Sequence, residues 1–134
     1  MQWRFTPPTH VLAAFYQAIQ EHKKEGSIVG RLKRYSNNCK IICDGMKEMG
    51  FQQLLSDDLQ APIIITFMQP QNANFKFDQF YDALSEKGFL IYPGKLTVAN
   101  TFRIGCIGNL TSNDMHNVLQ AIKETIKELK IQIN

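Results

Sequence analysis

Arg103 stands in the middle of TFRIGCIG (101–108), a short apolar run that carries a permanent cation two residues before a glycine. A guanidinium has a fixed charge and a planar fork of donors that matches a carboxylate or phosphonate bidentately. If the run is a strand, alternation sends Phe102, Ile104 and Cys106 to one face and Thr101, Arg103, Gly105 and Ile107 to the other. Arg103 then projects from the face opposite the apolar residues, beside a glycine that leaves room. Two chemistries fit that placement: a receptor for an anionic ligand, or an ordinary ion pair with Asp57, Asp58 or Asp82.

Other residues with chemical potential are less organised. Cys39 and Cys43 are four apart and can share a helix face, with Cys106 distant in sequence. Three cysteines are an odd number and too sparse for a disulfide framework, and no histidine lies near them to complete a metal site. Reduced thiols and a cytoplasmic setting are the expectation. His10, His22 and His116 have no Cys, Asp or Ser constellation around them. Thr6 precedes a proline pair, where a threonine ordinarily serves as a turn hydroxyl. Arg31, Lys33 and Arg34 fall on a helix beside its apolar seam and read as a solvated face. No metal site is expected.

The chain has 134 residues, 44% of them hydrophobic and 20% charged, with nine Phe, four Tyr and one Trp. That fits one ordinary domain with enough apolar material for a core. The net charge is +3 and the pI near 8.8, with lysines spread among glutamates, so nucleic acid is not an expected partner. No stretch approaches the roughly 20 apolar residues of a membrane span, and MQWRFTPPTH carries no signal-peptide pattern.

The elements that must position Arg103 follow from periodicity and punctuation. After Pro7 and Pro8, Val11, Leu12, Phe15, Tyr16 and Ile19 recur at helical spacing until Gly26. A second helix opens at Ser27. Its seam is Ile28, Leu32, Tyr35, Cys39, Ile42, Met46 and Met49, and Gly50 ends it. Three such heptads suit a coiled coil or a long helix laid across a small domain. APIIITFM (61–68) is continuously apolar and predicts a strand buried on both faces, the most buried strand of the chain, with Ile64 in it. A helix is predicted over 75–87, a strand over FLIY (89–92) closed by Pro93-Gly94, and another strand over TFRIGCI. The last helix opens at TSND, where Thr111 and Asp114 match a capping box, and carries Met115, Val118, Leu119, Ile122, Ile126 and Leu129 on one face. The order α, α, β, α, β, β, α implies a two-layer α+β domain, with a small mixed or antiparallel sheet covered by long helices.

RFTPPTH, IYPGK and TFRIGCIG occur in that order at a spacing that resembles the C-terminal part of the class V aminotransferases, pyridoxal-phosphate enzymes of fold type I. The resemblance runs from Trp3 to about Leu129. It is strongest to members that pass an amino group between an aminophosphonate and pyruvate, giving alanine, by a ping-pong reaction. It implies that Arg103 binds the substrate carboxylate. It implies that Thr6 bonds the cofactor phosphate across a homodimer interface. The family's Schiff-base lysine and pyridine-pairing aspartate come from a large domain ahead of FTPPTH. Lys95 follows the YPG turn and does not match that lysine; it reads as a solvated loop residue. Residues 1–134 are therefore expected to be a single C-terminal small domain without the large cofactor-binding domain. That would make it an excised piece or a truncated product starting at Met1, with no catalytic residue of its own and no activity alone. A different class of function stays open beside this one: a stand-alone, non-catalytic small-molecule-binding module, or a dimerisation module using the 28–49 seam.

Overall fold

The computed structural model describes residues 3–94 and 99–133. Met1 and Lys95, each named above, lie outside them. The chain divides into two compact units, Met1–Lys33 and Arg34–Asn134.

The first unit holds α1 (Thr9–Lys24), which starts directly after Pro8 as the proline pair predicts. None of its residues is buried. The apolar stripe of Val11, Leu12, Phe15 and Tyr16 is exposed, with Phe15 at 63%.

The boundary between the units falls inside α2 (Ser27–Glu48), whose predicted seam divides into two environments. Ile28 and Leu32 are 76% and 53% exposed, whereas Cys39, Ile42 and Met46 are buried. The second half thus acts as a helix laid on a small domain, the alternative to a coiled coil.

In the second unit, β1 (Ile64–Met68), α3 (Phe77–Glu86), β2 (Tyr92–Pro93), β3 (Thr101–Gly105) and α4 (Ser112–Glu128) follow in order. The three strands form one sheet of order β1-β3-β2, and both pairings are antiparallel. The helix between β1 and β2 does join two strands that point the same way, as in a mixed sheet. They never touch, because β3 inserts between them in the opposite sense. Thr111 caps α4 and closes the box with Asp114 as the spacing predicts.

Two strand expectations need correction. The strand over 61–68 begins only at Ile64 and is buried on one face: Ile65 and Phe67 are buried, while Ile64, Thr66 and Met68 are partly exposed. Ile64 is therefore not the core residue; Ile65 is. Ile65 and Phe67 face the core of the second unit, and a continuously apolar run has no alternation to say which residues do. The FLIY strand shrinks to Tyr92–Pro93, with Leu90 exposed and Ile91 buried. β2 is an edge strand that pairs with β3 only from Tyr92, and an edge position tolerates Pro93.

The core lies between the helices and the covered face. Phe102 is completely buried and meets Phe51, Phe67, Phe75, Phe77 and Phe80 with ring centroids 5.6–6.4 Å away. Edge-to-face and tilted contacts of this kind are favourable beyond the area they bury.

Candidate functional site

Alternation along β3 places Phe102 and Ile104 in the core and Arg103 on the other face, partly exposed. Register then sets its neighbours. Arg103 stands opposite Thr66 on β1 and opposite Tyr92 on β2, so the three side chains form a row across the uncovered face. Gly105 follows on the same face, and a Cβ there would meet nothing within 4 Å. The space beside the guanidinium is open.

Two contacts fix Arg103. Its Nε donates to the Pro93 carbonyl at 3.2 Å, and its guanidinium carbon lies 6.0 Å from the centroid of the Tyr92 ring. Among the described residues no carboxylate forms an ion pair with it, so Asp57, Asp58 and Asp82 are not its partners. The structure thus brings together two of the three motifs, the YPG turn and the FRIG strand. Gly94 explains part of that junction. Its N–H donates to the Thr101 carbonyl at 2.9 Å, and a Cβ on it would stand 2.5 Å from that same oxygen. Only glycine lets the turn approach β3 so closely.

The loop after β3 is held from α2. Asn38 is fully buried and its Nδ2 donates to the carbonyls of Cys106 at 3.3 Å and Leu110 at 3.0 Å. Arg34 Nη1 donates to the carbonyls of Gly108 and Leu110. Tyr35 Oη accepts from the Gly108 N–H at 3.3 Å. Gly108 itself has φ +94°, a conformation that favours glycine. Arg34 is therefore not simply part of a solvated face: it helps fix the end of the strand that carries Arg103. The i, i+4 pair of Arg34 and Asn38 next to an apolar seam was the available signal.

The remaining candidates take no part in this arrangement. Thr6 is exposed and belongs to the first unit, as do His10 and His22, while His116 is exposed on α4. Cys39 and Cys43 approach to 3.9 Å between sulfurs, and all three cysteines are free thiols. Burial pushes the Cys43 and Cys106 thiols up to about 12, so both stay protonated near neutrality and are poor nucleophiles. No group of three or more metal-ligating side chains occurs among the described residues.

In fold, the chain resembles segments of solved enzymes. Ureidoglycine–glyoxylate aminotransferase from Bacillus subtilis superposes with a TM-score of 0.75 at 20% identity, covering 88% of this chain and 30% of that one. The subgroup IV aspartate aminotransferase from Thermus thermophilus gives 0.63 at 16% identity, covering 73% of this chain and 27% of that one. At such identities the likeness carries the fold alone. No family model matches the chain.

In sequence, the chain is similar to the C-terminal part of 2-aminoethylphosphonate–pyruvate transaminases. It is 50% identical over 130 residues to the one from Rhizobium meliloti, covering 97% of this chain and 34% of the relative. It is 45% identical over 130 residues to that of Pseudomonas putida, at 97% and 35% coverage. Against that of Paraburkholderia phymatum it is 48% identical over 132 residues, at 98% and 36% coverage. The chain thus spans about a third of the length of the curated relatives it matches.

Proposed function

We propose that residues 1–134 are the C-terminal small domain of a pyridoxal-phosphate-dependent transaminase that moves the amino group of 2-aminoethylphosphonate to pyruvate, with Arg103 as the receptor for the substrate's acid group. The similarity over 97% of the chain to relatives of that name carries the reading. The uncovered, carboxylate-free setting of Arg103 on the sheet supports the residue assignment. We place the enzyme in the cytoplasm, where three free thiols persist, and as a homodimer in which Thr6 reaches the cofactor phosphate of the other subunit.

The described residues alone do not build a cofactor cradle. Thr6 offers one exposed hydroxyl, and the Schiff-base lysine and its aspartate are expected in the part that the relatives have beyond the shared segment. Bound there, pyridoxal phosphate supplies an electron sink. The work of this chain is positioning: Arg103 holds the carboxylate so that the reacting carbon faces the base. The chain by itself is expected to form no alanine from pyruvate, the amine donor and added cofactor.

In the complete transaminase, Arg103→Lys keeps the charge but loses the fork and lowers kcat/KM for pyruvate, despite appearing conservative. Arg103→Ala lowers it further, by about 30- to 4,000-fold, the equivalent of about 2–5 kcal/mol for a charge-assisted pair lost from a partly desolvated site. Thermal unfolding of both variants stays near wild type. Wild-type kinetics in both would remove Arg103 from the receptor role. Parallel losses of stability and activity would make it a structural residue.

A further inference from the structure

β2 is only two residues long, too short to add much to the sheet, yet it is pinned tightly to β3 through Gly94. What it delivers is one carbonyl and one ring, both to Arg103. The guanidinium has five N–H donors: one on Nε and two on each terminal nitrogen. A carboxylate can engage it side-on, through Nε and one terminal nitrogen, or end-on, through both terminal nitrogens. Here the Pro93 carbonyl occupies Nε at 3.2 Å. Tyr92, directly across the ladder, lies under the guanidinium with its ring 6.0 Å from the central carbon. Tyr92 is itself 53% exposed, so packing in the core does not account for its place.

We propose that Tyr92 and the Pro93 backbone are the positioning element of Arg103, holding it so that it presents its two terminal nitrogens end-on to the substrate carboxylate. This rests on the receptor reading of Arg103. Tyr92 acts through Arg103 and touches no reacting atom. The ring limits the swing of a long side chain, and the carbonyl blocks the side-on mode. The short edge strand is thereby explained as a mount, and so is the glycine that presses it against Thr101.

The test uses the cofactor-loaded transaminase that contains this segment, with KM and kcat for pyruvate and the inhibition constant of propionate, a carboxylate with no oxo group to react. Tyr92→Leu is expected to raise the pyruvate KM and the propionate constant together by about 2- to 5-fold, the size of an exposed cation–ring contact, with kcat little changed. Tyr92→Phe, which keeps the ring, restores both. In an Arg103→Ala background, Tyr92→Leu has no further effect. If Tyr92→Leu does not fold, Tyr92→Thr, another strand-compatible residue without a ring, takes its place. Wild-type constants for the ringless variant, with Arg103→Ala still impaired, would overturn the positioning role and leave the receptor standing. An equal effect of Tyr92→Leu with and without Arg103 would overturn it as well. Wild-type constants for Arg103→Ala would remove the receptor reading itself.

Discussion

Phe102 and Arg103 are adjacent in the chain and opposite in every other respect. Phe102 is closed in by five aromatic rings from β1, α3 and the loops at residues 51 and 75. Arg103 touches one carbonyl and one exposed ring, with open space beside Gly105. The covered face is over-determined: removing any one partner leaves many others. The other face is sparse, and its cation touches only one carbonyl and one ring of β2 among the described residues. A strand built this way puts its packed residue and its proposed receptor one residue apart.

The strongest attempt to break that separation is Phe102→Ala. It leaves a large void where packing is densest, and should destabilise the chain by about 3–5 kcal/mol. Chemical denaturation of the 134-residue chain measures it. A loss below about 1 kcal/mol would mean that the aromatic cluster is not the centre of the core. In contrast, Arg103→Ala should stay within about 0.5 kcal/mol of wild type, as is usual for substitutions outside packed features.

A subtler test uses the neighbouring strand. Ile65→Ala, on the covered face, should cost about 2–5 kcal/mol. Ile64→Ala, one residue earlier and on the face of Arg103, should cost no more than about half of that, in proportion to the smaller apolar area it removes from water. Equal losses would mean that both faces of β1 are buried, and the contrast between the faces would fail.

How much of this contrast can be read without coordinates depends on whether the residues alternate. In TFRIG the cation breaks the apolar run and sets the phase, so Arg103 falls on the predicted face. In APIIITFM nothing breaks it, and the phase of Ile64 and Ile65 is lost. Helix limits are legible because Gly26, Gly50 and Gly88 punctuate them, and the Thr111–Asp114 box announces α4. The pairing of β3 with β1 is not legible, since it joins residues 33 to 41 apart in the chain. The role of Arg34 is legible only weakly, through its i, i+4 spacing from Asn38 beside the seam. On a helix, a cation that reaches carbonyls more than 70 residues away looks the same as one facing water. The proposed Arg103 site is half legible: its residue comes from the motif, and the neighbouring Tyr92 and Pro93 only from the register.

The smallest expected effect lies away from both faces, at the start of α4. Asp114 Oδ2 accepts from the Thr111 N–H and from Thr111 Oγ1, both at 2.7 Å, while Thr111 Oγ1 accepts from the Asp114 N–H at 3.5 Å. The backbone N–H of Thr111, and then its hydroxyl, hold the Asp114 carboxyl below its usual value. Thr111→Ala should cost about 0.5–2 kcal/mol, the range for losing an N-cap hydroxyl. Asp114→Asn probes the ionised partner. A carboxyl whose folded pKa is depressed binds its proton more readily when unfolded. Its contribution is therefore present above the ordinary carboxylate value of about 3.9 and fades as pH falls below it. The stability gap between wild type and Asp114→Asn should accordingly be flat from pH 7 to 5 and close on further acidification. A gap that persists unchanged in acid would mean that the side chain acts by shape and not by charge. In the proposed transaminase neither variant should alter the pyruvate KM, because the box supports the helix and not the row of Thr66, Arg103 and Tyr92. A raised KM with an intact melting transition would show instead that the β3–α4 loop transmits strain to Arg103, and that the two properties are less separate than one residue of β3 makes them.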